Sequence, residues 1–278
     1  MKKQTQPWKM IKVDKDLAEE IEDDVAIEFP LTVVVNGKEF ATMVCTPEHM
    51  DLLVVGFLAS EGVIRLKSDI RQLSVDEDKG FAYVEVNKEW SMNESYEKRW
   101  IGSCCGKSRS FYFQNDAKTA RTIMSHLTIR PEDCLNLMKA FHSSAELFQR
   151  TGGVHQASIA TKDELGVTFT DIGRHNALDK LFGYMILNGI QSKNHLILFS
   201  GRISSEVLLK ISKMGIGCLL SKSAPTNLAL QLAEDLNITA IGFVRGGRMN
   251  VYTHPSRLEQ SNHHALHANA KEGGIEFD

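Results

Sequence analysis

The feature that most constrains the fold is a regular alternation of short apolar runs and amphipathic segments between residues 155 and 244. The apolar runs predict strands, and the segments with helical spacing predict helices between them. Strands and helices that alternate in this way favour an α/β domain whose sheet is mainly parallel. The predicted strands are residues 155–161, 166–172, 195–199, 217–220 and 238–244, and the predicted helices are 176–187, 204–214 and 225–236.

The first half of the chain predicts a smaller, strand-rich α+β domain. Residues 26–35 and 38–45 flank Asn36-Gly37, a pair that suits a tight hairpin turn, and two further strands are expected at 70–75 and 81–86. A helix between them is expected to begin with Thr46 as its cap and Pro47 in its first turn. Another is expected from Pro131 to about Arg150. We therefore divide the chain into an N-terminal extension (1–25), an α+β domain (26–130), an α/β domain (131–255) and a polar tail (256–278).

Three loops at the ends of predicted strands combine glycine with arginine. They are residues 171–176, 200–205 and 243–248, and they contain Arg174, Arg202, Arg245 and Arg248. Glycine lets a backbone approach a ligand closely, and arginine binds phosphate through two parallel hydrogen bonds. Ligands of open α/β sheets bind beyond the carboxyl ends of strands. The loops therefore indicate a phosphate site, although each taken alone is also typical of an ordinary turn with a solvated arginine.

The charge distribution agrees with an anionic ligand on the second half. Residues 154–254 carry 10 Lys plus Arg against 7 Asp plus Glu, a balance of +3 that leaves −6 for the rest of a chain with net charge −3. No apolar run approaches the roughly 20 residues that span a bilayer, and the polar, basic N-terminus lacks the apolar stretch of a secretory signal. We expect a cytoplasmic protein.

The cysteines indicate thiol chemistry. Cys45, Cys134 and Cys218 lie in apolar patterns typical of a core, whereas Cys104 and Cys105 are adjacent in the polar, glycine-containing segment 102–108. That segment is not a phosphate-binding P-loop, because position 101 is Ile and the required glycine spacing fails. Lys107 and Arg109 favour a thiolate nearby. No C-x-x-C pair occurs, so we predict no resident metal.

In this order the segments resemble the FdhD family of formate dehydrogenase accessory sulfurtransferases. The resemblance covers most of residues 26–255, and its most specific part is the pairing of DIGRHNALDK (171–180) with SGRISSE (200–206). The other matching stretches are residues 28–31, 56–62, 103–108, 151–155, 221–226 and 243–252.

The resemblance implies a fold and an activity. The fold is a C-terminal domain similar to cytidine deaminase beside a smaller N-terminal domain. The activity is acceptance of sulfur from a cysteine desulfurase as a cysteine persulfide, and its delivery to the bis-molybdopterin guanine dinucleotide cofactor of formate dehydrogenase. A homodimer is expected, with neither nucleic acid nor membrane as a partner. The segment associated with cofactor binding corresponds to Phe243, Val244, Arg245, Gly246, Gly247 and Arg248, which Arg174 and Arg202 would support.

One departure leaves the sulfur-carrying residue open. Many members have C-G-x-C-G in the thiol loop, whereas this chain has Ser103-Cys104-Cys105-Gly106. An ungapped alignment favours Cys105 and a gapped one favours Cys104.

The sequence leaves two rival functions to consider. A zinc deaminase lacks its motif here, since His155 is followed by Gln156-Ala157. A non-catalytic chaperone that only holds the cofactor fits the sequence as well, and His155 fits either an acid/base role or a structural one.

Overall fold

The computed structural model describes residues 3–15, 17–87, 99–101, 120–125 and 127–259, with the backbone alone at 99–101. The predicted thiol loop, with Cys104 and Cys105, lies outside these residues, as does the tail from residue 260. Within the described residues the chain forms three sheets and six α-helices. The architecture is therefore mixed α/β.

The N-terminal extension contains a two-stranded antiparallel ribbon that the sequence analysis did not predict. Strand β1 (Thr5–Asp14) pairs with β2 (Leu17–Ala26) from Thr5↔Ala26 to Asp14↔Leu17. Most of its residues are exposed on both faces, including Trp8 and Leu17. Because neither face is buried, the sequence lacks the apolar–polar alternation by which a half-buried strand is recognised.

The second sheet has five strands in the order β5-β6-β3-β4-β7. They are β3 (Phe29–Val35), β4 (Lys38–Cys45), β5 (Ile70–Asp76), β6 (Phe81–Val86) and β7 (Arg99–Ile101). The Asn36-Gly37 turn between β3 and β4 is confirmed, and both residues have positive φ, as the tight hairpin turn requires. Helix α1 (Met50–Ser60) packs on this sheet, and Leu31, Val33, Leu53 and Leu58 in the core between them are fully buried.

The predicted start of α1 is wrong. The helix begins at Met50, with His49 as its N-cap and Pro47 outside the first turn. Thr46 is fully buried, and its hydroxyl accepts a hydrogen bond from Ile172 N, 126 residues away, over 3.1 Å. A threonine before a proline suits a cap locally, but here a distant partner takes its oxygen.

The third sheet has six strands in the order β13-β12-β11-β10-β8-β9. The strands are β8 (His155–Ala160), β9 (Leu165–Asp171), β10 (Leu196–Phe199), β11 (Cys218–Ser221), β12 (Thr239–Arg245) and β13 (Arg248–Val251). Strands β10, β11 and β12 are parallel, and the others pair antiparallel with their neighbours. The alternation between residues 155 and 244 is thereby confirmed, whereas β13 was not predicted.

Five helices accompany this sheet. They are α2 (Pro131–Ser143), α3 (Glu146–Thr151), α4 (Arg174–Asn188), α5 (Ser205–Met214) and α6 (Asn227–Asp235). The single helix predicted from Pro131 to about Arg150 is instead α2 and α3. The Ser144 hydroxyl donates to the Phe141 carbonyl over 2.9 Å, a local bond that competes with continuation of the helix.

The helices cover both faces of the six-stranded sheet. Ile197 and Phe199 of β10 point to the side of α4, α5 and α6, whereas Leu196 and Leu198 point to the side of α2. This alternation follows from the strand, whose successive side chains lie on opposite faces. Both faces of the sheet are shielded from solvent at β10, since all four side chains are fully buried. Groups at the end of the sheet are therefore divided between an α2 side and an α4/α5 side.

Helices α1 and α4 join the two larger sheets at a crossing built on two glycines. A Cβ atom at Gly56 would lie 1.7 Å from the Asp179 carbonyl oxygen, and one at Gly183 would lie 2.0 Å from the Leu52 carbonyl oxygen. Both distances are far below van der Waals contact, so the two backbones touch with no side chain between them. The crossing fixes where the first half of the chain lies against the second.

Candidate functional site

The predicted loops meet at one edge of the six-stranded sheet. Strands β10, β11 and β12 are parallel, so the segments that follow Phe199, Ser221 and Arg245 emerge at the same end. Strand β8 runs against β10 and begins at this end with His155, which pairs with Asp171 at the end of β9. The edge therefore brings together all three glycine–arginine loops and His155.

Backbone hydrogen bonds tie these loops into one surface. Ile203 N donates to the Ala224 carbonyl over 3.1 Å, and Phe243 N donates to the Ser223 carbonyl over 3.2 Å. A Cβ atom at Gly201 would lie 3.3 Å from the Arg174 Cβ, so glycine is what lets these two loops touch. The loops thus hold fixed positions relative to one another, as a preorganised site requires.

His155 lies at this edge beside a serine. Its Nδ1 is 3.3 Å from Ser200 Oγ, which accepts a 2.9 Å hydrogen bond from Gln156 N. The Ser200 hydroxyl can also donate its hydrogen to Nδ1 when the neutral imidazole carries its proton on Nε2. Burial lowers the pKa of His155, and Arg174 and His175 lower it further, against a smaller opposing effect of Asp171. The neutral imidazole is therefore favoured.

His175 and Glu206 form the other ionisable pair at the edge. His175 Nε2 lies 3.0 Å from a Glu206 carboxylate oxygen, and burial lowers the pKa of His175 despite that hydrogen bond. Two buried polar atoms nearby, His175 Nδ1 and Ser204 Oγ, have no hydrogen-bond partner among the described residues. Buried polar groups in proteins are nearly always paired, so this side of the edge has hydrogen-bonding capacity for a polar ligand.

A cavity of about 570 Å³ opens on the α2 side of the same edge. Of the eight predicted cofactor-binding residues, Val244, Arg245, Gly246 and Gly247 line it. The two glycines form the turn between β12 and β13, and both have positive φ. The remaining lining residues are Leu135, Asn136, Met138, Lys139, His142 and Lys222, none of which the sequence analysis had proposed.

The other four predicted residues lie outside the cavity lining. Arg248 pairs with Arg245 across the turn and is exposed, and the Arg245 guanidinium lies 5.6 Å from the centre of the Phe243 ring. Arg174 is the first residue of α4, and Arg202 precedes α5. Since α4 and α5 pack on the sheet face opposite α2, these two arginines belong to the His155 side of the edge.

The charged residues of the DIGRHNALDK motif have a structural role that sequence alone does not reveal. Lys180 Nζ lies 2.7 Å from Asp171 Oδ2, and both side chains are fully buried. That carboxylate also accepts hydrogen bonds from Thr46 N over 3.1 Å and from Asn176 Nδ2 over 2.9 Å. Asp171, Asn176 and Lys180 thus fix the turn after β4 against the edge of the other sheet.

Asp179, the residue before Lys180 in the motif, forms a second buried ion pair, with Lys210 of α5. Asp179 accepts hydrogen bonds from the Ser60 hydroxyl over 2.6 Å and from Lys210 Nζ, and its side chain is buried. Lys213 of α5 donates to the Ser60 carbonyl over 2.6 Å. The motif therefore joins α1, α4 and α5, while its Arg174 and His175 face the edge.

The three described cysteines are core residues, as predicted. Cys45, Cys134 and Cys218 are at most 1% exposed. Burial raises the pKa of Cys45 and of Cys134 to about 12, and it raises the pKa of Cys218 further still. A thiolate is the nucleophilic form of cysteine, so none of these three thiols is suited to attack.

The described residues on either side of the segment with the remaining two cysteines have defined partners. Ile101 pairs in parallel with Met43 of β4, three residues before Thr46. At the other end, Arg121 N donates to Ser212 Oγ of α5 over 2.8 Å.

Within the described residues, no group of three or more His, Cys, Asp or Glu side chains is arranged to hold a metal ion. None of the helices in that part of the chain is long and apolar enough to cross a membrane.

Comparisons with known proteins match most of the chain. A model of the FdhD/NarQ family matches residues 26–259. The sulfur carrier protein FdhD of Geobacillus kaustophilus is 59% identical over 240 residues, which cover 86% of this chain and 91% of that protein. The sulfur carrier protein FdhD of Bacillus subtilis is 58% identical over 241 residues, with 86% and 92% coverage.

A solved structure shares the fold. The crystal structure of a formate dehydrogenase accessory protein from Desulfotalea psychrophila superposes with a TM-score of 0.77 at 22% identity. The match covers 92% of this chain and 100% of that one. Because the match covers most of this chain, it includes both larger sheets and the helices packed on them.

Proposed function

The chain belongs to the FdhD/NarQ family, and from that membership we propose that it is a sulfur carrier required for formate dehydrogenase activity. It takes sulfur from a cysteine desulfurase and delivers it to the bis-molybdopterin guanine dinucleotide cofactor, which it holds as a client before the cofactor enters the dehydrogenase. The proposal is carried by the relatives named sulfur carrier protein FdhD, which are 59% and 58% identical to this chain over 86% of its length. The cytidine-deaminase-like arrangement, the domain boundaries, a homodimer and a cytoplasmic location stay predictions.

The sulfur is carried by a cysteine persulfide in the loop that contains Cys104 and Cys105. A thiolate of the carrier attacks the outer sulfur of the desulfurase persulfide, a new S–S bond forms, and the desulfurase cysteine leaves as a thiolate. Of the five cysteines in the chain, the three others are buried with raised pKa values. Elimination therefore leaves these two thiols as candidates.

We assign the persulfide to Cys105. It aligns without gaps on the final cysteine of the family pattern, Gly106 leaves one flank open, and Lys107 and Arg109 follow in the sequence. Positive charge nearby stabilises a thiolate or persulfide anion. Serine replaces the nucleophile at similar size, so Cys105→Ser is expected to accept no sulfur from a desulfurase and cysteine, whereas Cys104→Ser retains part of the acceptance.

Intact-mass spectrometry that detects one added sulfur atom measures this acceptance, and activation of formate dehydrogenase is the second readout. If Cys104→Ser is the inactive variant and Cys105→Ser still accepts sulfur, the assignment is reversed. If the wild-type protein accepts no sulfur and yet activates the dehydrogenase, the chain acts as a cofactor-holding chaperone instead.

The cofactor's guanine nucleotide binds at the β12–β13 turn, where Arg245, Arg248 and the backbone of Gly246 and Gly247 bind phosphate. Support comes from the cavity that borders this turn and from its two glycines, which have positive φ and place no Cβ atom between the backbone and a ligand. Hydrogen bonds to charged groups contribute about 1.5–3 kcal/mol.

Arg248→Ala is therefore expected to weaken GDP binding by about 10- to 150-fold in calorimetry. Arg71→Ala is the matched control, because Arg71 is an exposed arginine on β5 of the other sheet. Unchanged GDP affinity in a folded Arg248→Ala protein would exclude this residue from the site.

A further inference from the structure

Helix α2 supplies a second wall to the cavity, and no motif of the sequence points to it. Asn136, Lys139 and His142 recur every third residue along the helix, so they share one face of it. All three line the cavity opposite the turn formed by Gly246 and Gly247. The cavity is therefore a cleft between a helix and a hairpin, rather than a groove along the hairpin alone.

The charged side chains of the cleft are all cationic. Lys139 comes from α2, Lys222 from the segment after β11 and Arg245 from the end of β12, and the lining contains neither Asp nor Glu among the described residues. Lys222 Nζ lies 3.0 Å from His142 Nδ1, which accepts its hydrogen bond when the imidazole is neutral. Three cations from three elements converge with no acidic side chain among them, so the cleft attracts an anion.

The charge of Lys222 is sensitive to its surroundings in the cleft. Burial lowers the pKa of Lys222, and the neighbouring Arg245 lowers it further. A negatively charged group beside both side chains would offset this repulsion and favour the charged form of the lysine. A bound phosphate would therefore stabilise the two cations beside each other.

The cleft also has an apolar part, and it is large. Leu135, Met138 and Val244 contribute carbon surface, and the volume of about 570 Å³ lies within the range of small-molecule sites, roughly 300–1,000 Å³. Inorganic phosphate alone would leave most of that space and all of the apolar surface unused. A ligand with a planar, largely uncharged body and a pyrophosphate uses both parts.

We propose that α2 forms the selective wall of a nucleoside-diphosphate site, in which Lys139 and Lys222 bind the pyrophosphate and His142 is a positioning residue for Lys222. Leu135, Met138 and Val244 contact the base or ribose. This proposal rests on the proposed function, since the client cofactor carries such a nucleotide, and it adds residues from outside the β12–β13 turn to the site.

Calorimetry with the full-length protein tests the proposal, with GDP, inorganic pyrophosphate and guanosine as probes. Lys222→Gln and Lys139→Gln each remove one charge and are expected to weaken GDP binding by about 10- to 150-fold. Lys162→Gln is the matched control, because Lys162 is exposed in the β8–β9 turn at the opposite end of the sheet. The exposed position of Lys139 on α2 keeps at least one variant folded.

The positioning role of His142 has its own readout. Asparagine places a carbonyl oxygen near the position of imidazole Nδ1, whereas leucine has no acceptor. His142→Asn is therefore expected to retain GDP affinity, and His142→Leu is expected to lose it to the same degree as Lys222→Gln. Equal affinities for the two His142 variants would overturn the positioning role.

Two further outcomes separate the ligand classes and the two proposals. Pyrophosphate binding as tight as that of GDP would show a plain anion site and overturn the nucleoside-diphosphate assignment. Retained GDP affinity in both lysine variants, together with its loss in Arg248→Ala, would confine the nucleotide to the turn and refute the role of α2 alone. Absence of GDP binding to the wild-type protein would refute both proposals.

Discussion

The substitution Gly56→Ala tests whether the α1–α4 crossing holds the two halves of the chain together. The added Cβ atom would lie 1.7 Å from the Asp179 carbonyl oxygen and 2.8 Å from the Gly183 nitrogen. Both are backbone atoms of the partner helix, so no side chain can rotate away. The helices must separate, and the buried hydrogen bond between Ser60 and Asp179 must stretch with them.

The expected loss of stability follows from two opposing effects. Overpacking of this kind costs about 1–3 kcal/mol and occasionally more, and contact with rigid backbone places this case at about 3–5 kcal/mol. Alanine favours an α-helix over glycine by about 1 kcal/mol, which offsets part of the loss. The net decrease in the free energy of unfolding is about 2–4 kcal/mol, a fall in Tm of about 4–16 °C at roughly 2–4 °C per kcal/mol.

Thermal unfolding monitored by circular dichroism measures this fall, and Gly153→Ala is the matched control. A Cβ atom at Gly153 would meet Ala26 at 3.6 Å, an ordinary contact, and its φ is not positive. The control is expected to stay within about 0.5 kcal/mol of the wild type. The Tm of Gly183→Ala should fall by a similar amount to that of Gly56→Ala. The Tm of the double variant should fall by less than the sum of the two, because both substitutions force apart the same helix contact. Equal Tm values for Gly56→Ala, Gly153→Ala and the wild type would refute the reasoning.

Two further predictions concern buried ionisable groups. Lys180→Met leaves the buried Asp171 carboxylate without its cation and is expected to reduce the free energy of unfolding by about 3–5 kcal/mol in urea titrations. Lys79→Met, in a pair whose lysine is 77% exposed, is the control, and equal losses in the two variants would contradict a special role for the buried pair. Burial lowers the pKa values of His155 and His175 below 6.5 in the folded state, so the unfolded chain binds more protons and stability decreases as pH falls below about 6.5. His155→Gln should reduce the slope of that decrease, and an unchanged slope would show that protonation of His155 does not contribute.

Much of the second half of the fold follows from local patterns. Strands β10, β11 and β12 are buried over most of their length, so their apolar runs are nearly continuous, and Gly201, Gly215 and Pro225 lie between these strands and the helices. The Asn36-Gly37 hairpin is equally local, because two residues determine its turn. By contrast, the β1–β2 ribbon has no buried face, and β13 comes only two residues after β12. Neither leaves a periodic signal in the sequence.

The site was predictable only in part, because residue type does not distinguish a ligand-binding charge from a structural one. Asp171, Asp179 and Lys180 share a motif with Arg174, yet the three are buried between helices and strands from both halves of the chain. Thr46 is a comparable case, since its partner lies 126 residues along the chain. The one available signal for the second wall of the cleft was the three-residue spacing of Asn136, Lys139 and His142 on α2.

The burial of three cysteines has a practical consequence for chemical labelling. Cys45, Cys134 and Cys218 are at most 1% exposed. Because burial raises the pKa of each thiol, all three stay protonated in the folded protein near neutral pH. A maleimide added to the folded protein therefore has only positions 104 and 105 to modify, without prior removal of any cysteine. A fluorophore or crosslinker introduced in this way would label the pair of cysteines proposed to carry the sulfur, and none of the three core cysteines.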